Sequence, residues 1–285
     1  IDQGHVFKPA NMENRELVEQ IISKLLLPGS AVVGYENLKE LYDRSQRGES
    51  CLILMEHYSN FDIPNLFYLA KQHATGLPVT DSIVAMAGTK LNEESRFILA
   101  FTEAYTRIVI YPARLLASME GTDRYEEERA RSRSINRAAL REMVRVKHSG
   151  KIILLFPAGT RYRPGRPETK QVLLEVDSYI KGFDHMVLIG IAGNTLEVSP
   201  AGTMEHDDPA TDVVVYNVSP VVDAPAFRRE ARSTVPDGGE AAKRAVGKAV
   251  EDRFEELHAE AEMHRSARLE QLAEQEIYPQ RFNVD

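Results

Sequence analysis

Short apolar runs that alternate with helix-like segments constrain the fold of this chain more than any other feature. Cys51–Met55, Lys151–Phe156 and Met186–Ala192 have the length and composition of buried strands. Long polar segments such as Glu126–Lys147 lie between them and are predicted to be helical. A helix between two strands usually returns the chain to the same end of the sheet, so that the strands run parallel. The pattern therefore predicts an α/β fold with a mixed, largely parallel sheet flanked by helices.

The two ends of the chain are predicted to be helical. Apolar residues recur at helical spacing in Met12–Leu27, and a second short helix is expected over Tyr35–Ser45. Glu240–Gln275 reads as one long helix whose apolar residues repeat at three- and four-residue steps. The predicted organisation is an N-terminal helical cap (1–48), an α/β core (49–238) and a C-terminal helix that packs on the core (239–285).

Three intervening segments are assigned from their local pattern alone. Val79–Met86 is predicted to be a strand and Thr169–Ile180 a helix. Ser219–Gly238 is predicted to be mostly loop, because Pro220, Pro225 and Pro236 interrupt it.

The composition narrows the classes of function. The formal net charge of -8 at pH 7 disfavours a general nucleic-acid binder, which needs a basic surface. Cys51 is the single cysteine, so no internal disulfide can form, which fits a reducing compartment. No apolar run approaches the ~20 residues that a membrane-spanning helix needs. Any contact with a membrane is therefore expected to be peripheral.

A histidine and an aspartate follow the first apolar run. His57 and Asp62 lie in the turn between the Cys51–Met55 strand and a helix predicted over Ile63–His73. A carboxylate can orient an imidazole so that the ring removes a proton from a hydroxyl near neutral pH. The pair therefore predicts a general base that acts on the hydroxyl of a bound substrate. Asp62 also fits a helix cap, because Pro64 stands in the first predicted turn.

A loop rich in glycine and arginine follows the strand Lys151–Phe156. Gly159 would let the backbone approach a ligand closely. Arg161 and Arg163 are two positions apart, so both side chains would point to one side of an extended backbone. Two guanidinium groups on one side suit the several oxygens of a phosphate. The loop predicts a phosphate site, and a solvated basic loop is the alternative.

The two motifs together resemble those of the glycerolipid acyltransferase family. His57-x4-Asp62 is followed, 99 positions after His57, by Phe156-Pro157-Ala158-Gly159-Thr160-Arg161. Within this family the chain is most similar to the soluble plastid-type glycerol-3-phosphate 1-acyltransferases. The stretches that carry this similarity are Pro157–Pro164, Ala87–Leu91, Ile108–Tyr111 and Leu140–Met143.

The resemblance implies a reaction and a set of site residues. A fatty acyl group would move from a thioester of acyl carrier protein or coenzyme A to the sn-1 hydroxyl of glycerol 3-phosphate. His57 would be the general base and Asp62 the carboxylate that orients it. The implied phosphate-binding residues are Arg161, Arg163, Arg114 and Gly159. No metal or other cofactor and no nucleic acid is implied. The implied location is the cytoplasm or plastid stroma, with peripheral membrane contact left open.

The chain departs from the family pattern at two places, which leave alternatives open. Ala158 stands where the wider family has glutamate, and Arg114-Leu115 matches a Lys-His pair of the plastid type. Lysophosphatidate or another lipid alcohol is the alternative acceptor. A non-catalytic module that binds lipid or a carrier protein is the alternative of another class, and a thioesterase is a further one.

A row of arginines runs along the helix predicted over Glu126–Lys147. Its members stand at successive four-residue steps: Arg129, Arg133, Arg137, Arg141 and Arg145. The row is interpreted either as a solvated face paired with nearby glutamates or as a docking site for an acidic carrier protein or an anionic bilayer.

Overall fold

The computed structural model describes residues 6–89, 96–198, 207–236 and 238–282. It confirms the predicted fold class, since a mixed and mostly parallel sheet is flanked by helices and followed by a long C-terminal helix. No helix in the described part of the chain has both the length and the apolar composition that crossing a membrane would require.

The helices and strands follow one another along the whole chain. The helices are α1 (Met12–Leu25), α2 (Tyr35–Gln46), α3 (Asp62–Ala70), α4 (Gly76–Ser82), α5 (Arg96–Glu103), α6 (Ala113–Ala117), α7 (Tyr125–Lys147), α8 (Val176–Lys181), α9 (Ala224–Ser233) and α10 (Gly239–Ala273). The strands are β1 (Phe7–Lys8), β2 (Ala31–Val33), β3 (Cys51–Met55), β4 (Ile83–Gly88), β5 (Arg107–Ile110), β6 (Ile152–Leu155), β7 (His185–Ala192), β8 (Leu196–Glu197), β9 (Asp208–Thr211), β10 (Val215–Val218), β11 (Val222–Asp223) and β12 (Gln280–Arg281).

The main sheet has the order β1-β5-β4-β6-β3-β7-β10-β2, and β11 also pairs with β7. Strands β5, β4, β6, β3 and β7 are all parallel. Antiparallel pairs flank them, β1 with β5 on one side and β10 with β7 on the other. A second, small sheet has the order β12-β9-β8. The segment predicted as an N-terminal helical cap thus holds α1 and α2 and also supplies two short strands, β1 and β2, to the main sheet.

The core lies on both faces of the sheet, because successive side chains of a strand point to opposite sides. Ile53 and Met55 of β3 pack with the layer that contains α1, α2 and α3. Leu52 and Leu54 pack with the layer that contains α7, α8, α9 and α10. β3 is therefore buried along its whole length, as its unbroken apolar sequence predicts.

The strand predicted over Val79–Met86 is wrong in its first half. Residues up to Ser82 belong to α4, and the strand begins at Ile83. Arg15 of α1 binds two polar residues of the last helical turn, with Nη1 2.7 Å from Asp81 Oδ1 and Nη2 3.2 Å from Thr80 Oγ1. Arg15 thus ties the end of α4 to α1.

Two further local predictions are wrong. The helix expected over Thr169–Ile180 begins only at Val176, and in the stretch before it Glu251 of α10 accepts the backbone N–H of Val172 at 2.8 Å. The loop expected over Ser219–Gly238 contains α9. Its proline at the helix start is tolerated in a first turn, where the missing N–H has no helical partner.

Candidate active site

The candidate site lies at the edge where the parallel strands end. β3 is paired with β6 on one side and with β7 on the other, with Leu54 opposite Leu155 and Met55 opposite Ile189. The loops that follow β3 and β6 therefore start side by side. In open α/β sheets this edge is where ligands usually bind.

The loop after β3 brings His57 and Asp62 into contact. The Nδ1 atom of His57 lies 2.8 Å from Oδ2 of Asp62, which is the first residue of α3. The Asp62 side chain is almost completely buried, whereas that of His57 keeps 17% of its surface exposed. The structure thus joins the two residues that the sequence pairs.

The carboxylate of Asp62 is held by its own turn. Its Oδ2 atom accepts the backbone N–H groups of Tyr58 at 2.7 Å and Ser59 at 3.0 Å, in addition to the imidazole. The Ser59 hydroxyl donates to Oδ1 at 3.2 Å. Tyr216 of β10 donates its hydroxyl to the backbone carbonyl of Asp62 at 2.7 Å. Five donors fix this residue, so it can set the orientation of the imidazole.

These bonds also decide which nitrogen of His57 is free to act. An ionised carboxylate only accepts hydrogen bonds, so Nδ1 of the ring carries the hydrogen of the 2.8 Å contact. The neutral ring then has its lone pair on Nε2, which makes no hydrogen bond with any residue that the structure describes. Phe156 stacks on the ring with a centroid separation of 3.8 Å and fixes its plane. The geometry suits a general base.

The arginine-rich loop after β6 is joined directly to the histidine. The backbone N–H of Tyr162 donates to the backbone carbonyl of His57 at 2.8 Å. Tyr162 stands between Arg161 and Arg163 in the sequence, so both arginines flank a residue that is bonded to His57. The structure thus brings the two predicted motifs to one place.

Arg161 has an acidic partner that the sequence does not reveal. Its Nη1 atom is paired with Oδ2 of Asp207, and both side chains are more than nine-tenths buried. Asp207 directly precedes β9 and approaches the loop from a different part of the fold. The positive charge of Arg161 is therefore compensated within the protein, and its assignment to a phosphate stays a prediction.

Arg163 belongs to the loop after β6, and Arg114 contacts the same loop from α6. The backbone N–H of Arg163 donates to Oγ1 of Thr169 at 2.9 Å, which closes the loop on itself. Arg114, in α6, donates from Nη2 to the backbone carbonyl of Glu168 at 3.4 Å. Its Nε atom is buried and has no hydrogen-bond partner among the described residues. Cationic side chains that follow β5 and β6, the two strands on either side of β4, thus meet at this loop.

Gly159 is required by its backbone conformation. Its φ of 65° lies in the left-handed region, which side chains disfavour, and a Cβ atom would lie 2.7 Å from Cδ1 of Leu173. The glycine therefore shapes the turn after β6. Its predicted role in a ligand's close approach is not needed to explain why glycine stands there.

Lys170 is a cation at this site that sequence reasoning missed. Its Nζ atom lies 5.2 Å from the ring centroid of Tyr58 and 4.6 Å from that of Tyr162. It also donates to the Tyr58 hydroxyl at 3.1 Å. Tyr58 directly follows His57 in the sequence, and Tyr162 is hydrogen-bonded to the His57 carbonyl. Lys170 is therefore held close to the base. Its place in the same loop as Arg161 and Arg163 is the one signal that could have suggested it.

His258 of α10 also contacts the loop that carries the histidine. Its Nδ1 atom lies 3.3 Å from the Tyr58 hydroxyl, 2.6 Å from the carbonyl of Ile191 and 3.5 Å from Oε2 of Glu56. The hydrogen bond with Glu56 raises the pKa of His258, although burial opposes the shift. Glu56 also accepts the Tyr58 hydroxyl at 2.9 Å. Both residues that flank His57 in the sequence are therefore anchored by side chains, and nothing local in the sequence indicates this.

Comparisons with known proteins do not assign the site. No protein-family model matches the chain, and no curated protein matches it at a significant level.

Proposed function

We propose that this protein is an acyltransferase that moves a fatty acyl group from an acyl thioester to the sn-1 hydroxyl of glycerol 3-phosphate. The observation that carries the proposal is the position of Nε2 of His57. This atom has no hydrogen-bond partner among the described residues, it belongs to a ring that Asp62 orients, and it lies beside a cationic loop.

The proposed reaction uses His57 first as a base and then as an acid. Nε2 accepts the proton of the acceptor hydroxyl as the oxygen attacks the thioester carbon, and Asp62 stabilises the imidazolium that forms. The tetrahedral intermediate then collapses, the carbon–sulfur bond breaks, and the imidazolium returns its proton to the departing thiolate. The products are an ester and a free thiol. The Ser59 hydroxyl is hydrogen-bonded to Asp62, so we assign the role of nucleophile to the substrate's hydroxyl.

The cationic loop supports a phosphate-bearing acceptor. Arg163, Arg114 and Lys170 are the side chains that we assign to the phosphate. Holding the acceptor by its phosphate while its hydroxyl faces the base converts an encounter into a positioned reaction, which can lower a barrier by up to about 7–11 kcal/mol in model systems. Arg161 is assigned to the same site as a residue that fixes the loop through Asp207, in addition to its predicted contact with phosphate.

The test is an acyl-transfer assay with purified protein. Release of thiol from palmitoyl-coenzyme A and from palmitoyl-acyl carrier protein would be followed with and without glycerol 3-phosphate, and the lipid product identified by mass. His57→Ala should lower kcat/KM by roughly 10²–10⁴, the usual contribution of a general base. His264→Ala, which removes an exposed histidine of α10, serves as the matched control.

Replacing the acceptor separates the alternatives. Equal turnover with lysophosphatidate would indicate a lipid acceptor, and thiol release that does not depend on any acceptor would indicate a thioesterase. If the unmodified protein and His57→Ala transfer acyl groups equally poorly to every acceptor, the acyltransferase proposal is wrong.

One observation favours a second candidate, a non-catalytic module that binds lipid or a carrier protein. Arg161 is neutralised by Asp207, whereas a dedicated phosphate ligand would be expected to keep its charge for the substrate. A module of this kind would bind palmitoyl-coenzyme A or palmitoyl-acyl carrier protein in equilibrium dialysis. It would show no turnover in the unmodified protein.

A further inference from the structure

Helix α7 is the longest helix between two strands of the sheet, and one of its sides is unpartnered among the described residues. Its inner side packs on the sheet through buried Ala139, Met143 and Val146. The α7 outer face, defined here by Arg133, Arg137, Leu140, Arg141 and Val144, follows three- and four-residue steps along the opposite side. All of its residues are exposed.

The five arginines of the predicted row fall into two groups. Arg129 is paired with Glu126 at 3.3 Å, and Arg145 is paired with Glu142 at 2.8 Å. The three central members, Arg133, Arg137 and Arg141, form no ion pair with any residue that the structure describes. Only the ends of the row therefore fit the solvated, glutamate-paired interpretation. The unpaired centre is unusual in a chain of net charge -8, where carboxylates are abundant.

Two aliphatic side chains lie among these three guanidinium groups. Leu140 is 56% exposed and Val144 is 45% exposed, one helical turn apart. Leu140 stands three residues after Arg137, and Val144 stands three residues after Arg141. At this spacing the two side chains of each pair lie next to each other on the helix surface. An apolar centre bordered by arginines is the usual composition of a protein–protein contact, in which arginine is enriched.

We propose that the α7 outer face docks an acidic helical protein. A partner helix with carboxylates at four-residue spacing would match the spacing of the three arginines, and its apolar residues would cover Leu140 and Val144. Arginine suits this partner because its planar fork binds a carboxylate through two parallel hydrogen bonds.

A bilayer surface fits the same face less well. The face is one helix wide. A membrane surface is a plane, and binding to it is strongest when cations and apolar groups are spread over several helices or loops. Each basic residue near an anionic bilayer raises affinity only about fivefold, so three arginines and two aliphatic residues form a weak anchor. A partner helix has the same width as the α7 outer face and can cover the face on both sides of its apolar centre.

The face also runs toward the candidate site. Tyr111, which directly follows β5, donates its hydroxyl to Glu128 in the first turns of α7 at 2.8 Å. The N-terminal part of α7 therefore lies at the sheet edge that carries His57. The choice of an acyl carrier protein as probe rests on the proposed function, but binding is measured without turnover, so the docking face can fail while catalysis holds, and the reverse.

The experiment measures binding of the full chain to an acidic helical probe, the apo form of an acyl carrier protein, by isothermal titration calorimetry at low and at high salt. We expect binding that weakens with salt, because exposed charges are screened. R133E/R137E should weaken it by about a hundredfold, roughly tenfold for each reversed charge. L140A/V144A should weaken binding without changing its salt dependence.

The controls keep charge and folding constant. R47E/R281E changes the net charge by the same amount at exposed arginines outside the α7 outer face, and it should bind like the unmodified protein. Circular dichroism verifies that each variant is folded. Binding that survives R133E/R137E, or that R47E/R281E abolishes equally, overturns the proposal. Binding to vesicles with 30% phosphatidylglycerol, but not to the protein probe, would also overturn it and identify a lipid surface.

Discussion

Replacing Asp62 by asparagine tests the assignment of His57 as a general base most directly. In the structure Oδ2 of Asp62 accepts the imidazole N–H at 2.8 Å and two backbone N–H groups at 2.7 and 3.0 Å. The oxygen of an asparagine amide can occupy the same position, since three N–H donors converge there and exclude the amide NH₂. The NH₂ group would then face the Ser59 hydroxyl, which can accept a hydrogen bond. We therefore expect the Asp62→Asn variant to keep its fold.

The expected loss of activity follows from the charge that is removed. In serine hydrolases the same type of substitution costs about 10⁴ in kcat, largely because the imidazole adopts the wrong tautomer. Here the backbone donors keep the amide oxygen toward Nδ1, so the tautomer should be retained. The variant would then lack only the negative charge that stabilises the imidazolium. We expect a decrease in kcat/KM of about 10²–10³, which corresponds to about 2.7–4 kcal/mol.

The assay is thiol release from palmitoyl-coenzyme A with glycerol 3-phosphate as acceptor. Asp43→Asn, which neutralises an exposed carboxylate of α2, is the matched control and should leave kcat/KM unchanged. Full activity of Asp62→Asn would refute the reasoning, because the carboxylate would then contribute nothing to the base. A loss as large as that of His57→Ala, in a folded variant, would refute the argument that the tautomer is retained.

Three further predictions concern the residues around the base. Gly159→Ala forces a side chain into a backbone with φ 65°, and it should lower the free energy of unfolding in urea by at least about 1–2 kcal/mol; no change would contradict the assigned conformation. Arg161→Met deprives the buried Asp207 carboxylate of its guanidinium and should cost about 3–5 kcal/mol, with the Arg161→Met/Asp207→Leu double variant losing less than the sum of the single changes; additive losses would argue against the pair. Hydrogen bonding to Glu56 raises the pKa of His258 above its ordinary 6.5, so the stabilisation is present below that value and lost as the pH rises through the folded-state pKa. His258→Gln should accordingly lower Tm more at pH 5.5 than at pH 9, and an equal shift at both would contradict the linkage.

Local sequence patterns were enough to predict the features whose causes are local. The apolar run Cys51–Met55 forms a strand with the predicted bounds, because its five residues can only be buried on both faces of a sheet. The predicted helix Glu126–Lys147 starts one residue earlier and ends as expected, since its polar residues leave one apolar stripe at helical spacing. His57 and Asp62 meet because they share one turn, so a spacing read from the sequence was enough to pair them.

The charges and contacts that surround this pair depend on how distant segments pack together. Arg161 and Asp207 are 46 residues apart, and Tyr58 and His258 are 200 residues apart, so no local spacing relates them. The sequence could place the arginines in one loop, but it could not show that Arg161 is compensated while the centre of the α7 row has no acidic partner among the described residues. A charged side chain pairs with whichever group the packed helices and strands bring within a few ångströms of it. That proximity depends on the order of strands in the sheet, which only the folded chain fixes.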